Sequence, residues 1–265
     1  MTVKKICGLF FLVLFLFVSC DTGLFEKNLW SGLEKYEKPN FATVSAEELM
    51  RDGEKKSNLF FDSLTGGDVE RVIDILNSAY ETAEDDNKKS EILLFAAEVF
   101  NRTSGVDETF QNTVPFFIEV MEEGQSEFDV DELIERLLPS DNPRVVERHI
   151  DALLYTYEVY EAYGIILKDK SEEQIDKLSK RDKNRANTAC QAAIAGLLNY
   201  IIEHNDSLDA ESLAQRLVND DLDGLDFPEF DDSKTIEEHM EAFLGEDIYA
   251  VVDAGLDLHT LISEE

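Results

Sequence analysis

The residues with the clearest potential for chemistry lie in one acidic loop, residues 219–230 (NDDLDGLDFPEF). Asn219, Asp221 and Asp223 place oxygen ligands at the first, third and fifth positions of a calcium-loop pattern, and a Gly follows for the sharp turn. The twelfth position, which needs a bidentate Glu, holds Phe230 instead. An acidic linker between helical units is the simpler interpretation, and calcium bound by the three oxygen residues is the alternative.

Histidines and known catalytic motifs offer little else. His149 and His239 occupy equivalent positions of an internal repeat, which favours a structural position on a helix over a ligand pair. His204 and His259 lie near predicted helix ends, where an imidazolium interacts well with the negative end of the helix dipole. The sequence holds no nucleophile elbow, zinc-protease motif, phosphate loop or paired-cysteine motif. We therefore expect a protein that is not an enzyme and that uses no cofactor, calcium excepted.

Four tyrosines, Tyr155, Tyr157, Tyr160 and Tyr163, concentrate on one predicted helix. Packing in the core is the simpler interpretation of this pattern. The alternative is that they line a concave pocket for a small molecule or peptide, since tyrosine offers a flat apolar face and a polar tip.

The charge of the chain excludes several classes of partner. It carries 58 Asp and Glu against 24 Lys and Arg, a formal net charge of −34. Nucleic-acid binding needs clustered cations, so we expect no nucleic-acid partner. The one strongly basic stretch is residues 168–187. It is interpreted as a solvated helix or loop, or alternatively as a docking element for an acidic surface such as that of a sister subunit.

The N-terminus has the plan of an export signal. Lys4 and Lys5 precede an apolar run over residues 6–18, which at about 13 residues is too short for the roughly 20 that span a bilayer. The run ends at Phe-Val-Ser-Cys with Cys20. This segment resembles the signal peptide and lipobox of bacterial lipoproteins. The resemblance implies cleavage before Cys20, a diacylglycerol on its thiol, and a location in the cell envelope outside the cytoplasm. An ordinary secretory signal and an uncleaved anchor are the alternatives.

The remaining cysteines fit this interpretation. Cys7 lies in the signal, so Cys190 is the one cysteine of the predicted folded part, and no disulfide framework can form there. It lies in an apolar helical run, which predicts a small buried hydrophobic residue and no catalytic role.

Apolar residues recur with the 3.6-residue period of an amphipathic helix from Ser45 onward, and no segment alternates with period two. One such helix follows Asp68, a suitable N-cap. The chain therefore predicts a signal peptide over residues 1–19, a lipid-anchored tether over 20–44 and an all-α helical repeat domain over 45–265.

The repeat rests on two sets of similar segments. Residues 69–81 (VERVIDILNSAYE) and 146–158 (VERHIDALLYTYE) share eight of 13 residues without a gap, and residues 236–244 form a weaker copy. A second short element recurs at residues 45–50, 129–134 and 209–214. The shift between copies predicts tandem units of about 80 residues, stacked as a solenoid-like or compact helical array.

Together these features predict a lipid-anchored, extracytoplasmic, non-enzymatic helical-repeat protein. Its partners would be the membrane, through the N-terminal lipid, and another protein, for which it would serve as an adaptor or assembly factor. The alternative is a ligand-binding accessory subunit of a transport system.

Overall fold

The computed structural model describes residues 36–106, 110, 142–178, 181–182, 185–219, 221, 224–226 and 236–256. Helices account for 78% of these residues, and none of them lies in a strand. The prediction of an all-α fold is therefore confirmed for the described part. The helices are α1 Ala46–Ser63, α2 Gly66–Thr82, α3 Asp86–Ser104, α4 Pro143–Leu167, α5 Glu172–Ile175, α6 Arg185–His204, α7 Ala210–Val218, α8 Ile236–Leu244 and α9 Glu246–Leu256.

Side-chain caps set where several helices begin. Ser45 and Glu48 form a capping box at α1, in which the Glu48 amide donates to Ser45 Oγ and the Ser45 amide donates to Glu48 Oε2. The predicted cap of α2 was wrong, because the helix begins earlier, at Gly66, with Thr65 as its N-cap. Asp68 lies at the third helical position, where its carboxylate accepts hydrogen bonds from the amide and the hydroxyl of Thr65.

Helix α4 occupies the centre of the described part, with α3, α6, α7 and α9 packed against it. Its apolar side joins residues of α6 and α7 in one buried cluster, which also takes in the segment after α3. Members of this cluster include Val106, Phe110, Val146, Ile150, Leu153, Ile194, Leu198 and Leu213. This 25-residue helix therefore contacts four helices directly, whereas α1 and α2 pack against α3, and α8 packs against α6 and α9.

Helix α9 approaches its neighbours at glycines. A Cβ on Gly164 of α4 would lie 1.8 Å from the backbone oxygen of Asp247, and one on Gly255 of α9 would lie 2.3 Å from the backbone oxygen of Arg185. These contacts leave no room for a side chain, so the absence of a Cβ at both positions lets α9 reach α4 and α6.

The two best-matching repeat segments bury the same positions. Val69, Ile73 and Leu76 of α2 are buried, as are their counterparts Val146, Ile150 and Leu153 of α4. Their surroundings differ, since α4 contacts four helices in the centre whereas α2 packs against α1 and α3. An array of about 80-residue units stays a prediction, because residues 129–134 lie outside the described residues.

Within the described part, no helix is both long and apolar enough to cross a membrane.

Candidate binding surface and site residues

Two of the four α4 tyrosines lie in the core. Tyr160 and Tyr163 are each 1% exposed. The Tyr160 hydroxyl donates to Gln191 Oε1 at 2.6 Å, and the Tyr163 hydroxyl donates to Asp182 Oδ2 at 2.6 Å. Burial and the nearby Asp182 carboxylate raise the pKa of Tyr163. Both hydroxyls therefore have partners inside the protein, as buried tyrosines normally do.

The other two tyrosines lie closer to the surface. Tyr155 is half-buried and its ring stacks on Phe100, with 3.7 Å between the centroids. Burial, followed by the Glu158 carboxylate, raises the pKa of Tyr155 to about 12. Burial also raises the pKa of Tyr157, whose hydroxyl lies 3.5 Å from Glu161 Oε1. These two residues form the boundary between the core and the acidic outer face of α4.

Two of the three predicted calcium ligands of the acidic loop, Asn219 and Asp221, lie within the described residues. Asn219 caps α7, where its side-chain amide donates to the backbone oxygen of Gln215 at 2.7 Å. The backbone of Asp221 is tied to Arg216, whose backbone oxygen accepts from the Asp221 amide and whose Nε donates to the Asp221 oxygen. Asp223 lies outside the described residues. Calcium binding by this loop therefore stays a prediction.

The turn in this loop has the expected backbone. Gly224, the residue predicted to make the sharp turn, has a φ of 77°, in the left-handed region that glycine enters without steric cost. Two residues later, the backbone of Asp226 is held by the Asn205 side chain, which donates to its oxygen at 3.0 Å and accepts from its amide at 2.7 Å. Among the described residues, no group of three His, Cys, Asp or Glu side chains is placed to hold a metal ion.

The remaining candidate residues that the structure describes, three histidines and Cys190, are buried or stacked on another ring. His149 and His239 are both buried, and His204 stacks on Tyr200 with 3.8 Å between the ring centroids. Cys190 is buried, and burial raises the pKa of its thiol to about 11. His259 and the predicted lipid-attachment residue, Cys20, lie outside the described residues.

The basic stretch is engaged with the chain's own carboxylates. Lys168 Nζ lies 2.6 Å from Glu246 of α9, and Lys170 Nζ lies 2.6 Å from Asp86 of α3. Arg185 Nη1 lies 2.9 Å from Asp176. A docking role towards another subunit stays a prediction. Most of the described residues from 168 to 178 are exposed, as expected of a solvated segment, and Lys168, Lys170 and Arg185 are also paired within the chain. They join the connection between α4 and α6 to helices at both ends of the domain.

Arg181 makes the most extensive of these contacts. Its Nη2 donates to the backbone oxygen of Met50 in α1 at 2.7 Å, and its Nη1 donates to Glu98 Oε2 in α3 at 3.0 Å. Its guanidinium carbon lies 4.5 Å from the centroid of the Phe95 ring. Sequence reasoning missed this site, because the groups that Arg181 contacts lie 83 and 131 residues away in the chain.

The exposed side of the repeat helices carries a shared row of carboxylates, which we call the acidic stripe. On α2 it comprises the exposed Glu70, Asp74 and Glu81, and on α4 it comprises the partly buried Glu147 and the exposed Asp151 and Glu158. Spacings of four and seven residues place each set of three on one face of its helix. After burial, the carboxylates of Glu158 and Asp74 also raise the pKa of Tyr155, so one member of each row acts on the same ring. Partial burial raises the pKa of the Asp151 carboxyl.

No protein-family model, curated protein or solved structure matches this chain. Its function must therefore be inferred from its own residues.

Proposed function

We propose that this chain is a lipid-anchored, extracytoplasmic helical-repeat protein that binds another protein and serves as an adaptor or assembly factor in the cell envelope. The lipid on Cys20 would hold it at the membrane, and the helical domain would present the acidic stripe to the partner. The domain would be built from tandem units of about 80 residues, of which α2 and α4 are equivalent parts.

The acidic stripe is the observation that carries this proposal. Val69, Ile73 and Leu76 recur in α4 because the core needs apolar residues there. Packing in the core does not determine which residues occupy the outer face. Even so, Glu70, Asp74 and Glu81 of α2 recur in α4 as Glu147, Asp151 and Glu158. Recurrence of charge on an exposed face favours a shared binding role over a packing role.

The intramolecular ion pairs support the same proposal. Lys168, Lys170, Arg181 and Arg185 contact carboxylates away from the stripe. Arg71 and Arg148 adjoin the stripe and are exposed, so the surface can pair with charges of both signs while its carboxylates predominate. A partner with a mainly basic contact surface fits this pattern, because complementary charge speeds association and orients the partner.

The tyrosines give less support to the alternative of a ligand-binding transport subunit. That function would call for tyrosine hydroxyls directed into a cavity. The hydroxyls of Tyr160 and Tyr163 are instead bonded to Gln191 and Asp182.

Lipid attachment is tested in cells that carry out lipoprotein processing. The Cys20→Ala variant should lose incorporation of labelled palmitate and accumulate as an uncleaved precursor. Ser19→Ala is the matched control, since it keeps a small residue before the cysteine and should be processed normally. Palmitate incorporation by the Cys20→Ala variant would overturn the anchor.

Partner binding is tested by neutralising the stripe without changing the shape of its side chains. The Asp74→Asn and Asp151→Asn double variant should recover less of a partner that co-purifies with the wild-type chain from its own membranes. The control changes Glu173, an exposed carboxylate of α5, to Gln. Equal recovery by the stripe variant and the control would contradict the proposed surface.

A further inference from the structure

Three groups on α1 and α3 form a receptor for a guanidinium group. The Met50 backbone oxygen and the Glu98 carboxylate accept one hydrogen bond each, and the Phe95 ring lies against the flat face of the cation. The occupant, the Arg181 side chain, is 11% exposed. Stacking on a ring combined with two acceptors at the edge of the cation matches the flat, forked guanidinium of arginine better than the compact ammonium of lysine, which has no flat face.

The receptor is supported from the side away from Arg181. Arg102 Nε lies 3.3 Å from Glu98 Oε1, whereas Arg181 Nη1 donates to Glu98 Oε2. Arg102 also donates to Ser57 Oγ at 2.8 Å and lies 4.9 Å from the centroid of the Phe61 ring. Glu98 is thus held in place by a residue of its own helix, and its Oε2 accepts a hydrogen bond from the occupant.

The occupant comes from a distant part of the chain. Arg181 is separated from Glu98 by 83 residues and from Met50 by 131 residues. It belongs to the connection between α4 and α6, whereas the receptor groups belong to α1 and α3. The site could therefore lose its occupant without losing any of the groups that build it.

We infer that Met50, Phe95 and Glu98 form an arginine-binding site, which Arg181 fills in the isolated chain and which an arginine of a basic partner can fill in its place. This inference rests on the proposed function, because it assumes a protein partner, and it specifies the chemistry by which that partner is held. The net charge of −34 favours the approach of such a partner.

The first test empties the site in the full chain with the Arg181→Ala variant. Loss of two charged hydrogen bonds and a cation–π contact should speed hydrogen exchange in α1 by about tenfold or more. Methylguanidinium at low millimolar concentration should restore part of this protection, while methylammonium at equal ionic strength should not. Wild-type protein should gain no protection from either ion. Lys177→Ala, which removes an exposed cation paired with Glu173, should leave exchange in α1 unchanged.

Two further variants keep the test decisive. Arg181→Lys retains the charge and should still show faster exchange in α1, so it replaces the alanine variant if that one folds poorly. Adding Glu98→Gln to either variant should abolish the restoration by methylguanidinium. Equal restoration by both ions, or restoration that survives Glu98→Gln, would overturn the site.

Occupation by a partner's arginine is tested with short peptides. Hexa-arginine should bind the Arg181→Ala variant at least about threefold more tightly than the wild-type chain, since its competitor is gone. Hexalysine should bind both proteins equally. Equal affinity of hexa-arginine for the two proteins would overturn the inference. The proposed function is judged separately, by recovery of a partner with the Asp74→Asn and Asp151→Asn variant.

Discussion

Gly164→Ala offers a sharp test of how the C-terminal helix is held. The new Cβ would lie 1.8 Å from the Asp247 backbone oxygen, so α9 would have to retreat by roughly 1.5 Å to reach an ordinary contact distance. Overpacking of this kind costs about 3 kcal/mol at the upper end of its usual range. The better helix propensity of alanine offsets about 1 kcal/mol of that cost. We expect a net loss of about 2 kcal/mol in the free energy of unfolding.

The assay is thermal and urea unfolding followed by circular dichroism. A loss of about 2 kcal/mol should lower Tm by about 4–8 °C in a domain of this size. Relative to the wild-type chain, the Gly164→Ala variant should show faster hydrogen exchange in α9, because α9 has to move. Exchange in α1, which lies outside the contact at Gly164, should change less. Gly67→Ala is the matched control, because a Cβ there meets nothing within 4 Å. That variant should be slightly more stable than the wild-type chain, by about 0.5 kcal/mol.

The packing argument would be refuted if Gly164→Ala were as stable as the wild-type chain or shifted Tm in the same direction as Gly67→Ala. Either result would mean that α9 does not lie in close contact with α4 at Asp247.

Three further predictions concern single groups. Cys190 should react with a thiol reagent at pH 8 only after unfolding, because burial raises its pKa to about 11; stoichiometric labelling of the native chain would contradict this. The pKa of Tyr155 rises to about 12 in the folded state, so its contribution to stability is present below pH 10 and is lost as the pH rises towards 12. The Tyr155→Phe variant should therefore lose less stability in that interval than the wild-type chain. An alkaline stability profile unchanged by this substitution would contradict the prediction. If the acidic loop binds calcium, calcium should raise Tm more than magnesium does at equal ionic strength. The Asp221→Asn and Asp223→Asn double variant should remove this difference. Equal stabilisation by both metals would instead indicate that the loop is a linker.

Much of the fold could be predicted because local patterns determine helices. The 3.6-residue period predicted the all-α class, and the first described helix begins where that period begins, directly after Ser45. The start of α2 was misplaced because a capping box puts its acidic residue three positions after the cap. Asp68 therefore looked like a cap although Thr65 is one.

The interactions between distant residues could not be predicted from the sequence. The basic stretch was visible, but its pairing with Asp86, Glu98 and Glu246 depends on how the connection between α4 and α6 crosses the other helices. In the same way, four tyrosines on one helix predicted packing in the core, but not that Tyr160 and Tyr163 would be bonded to Gln191 and Asp182. Such contacts join residues far apart in the chain, and helical periodicity gives no information about them.

The central claim, that the acidic stripe binds another protein in the cell envelope, is tested most directly by site-specific photo-crosslinking in intact cells. A photoreactive amino acid is placed at Asp74, in the stripe, or at Glu173, an exposed carboxylate of α5. The proposed function predicts a discrete crosslinked product from the Asp74 position that is absent from the Glu173 position and is lost in the Cys20→Ala variant. No product at Asp74, or the same products at both positions, would contradict it.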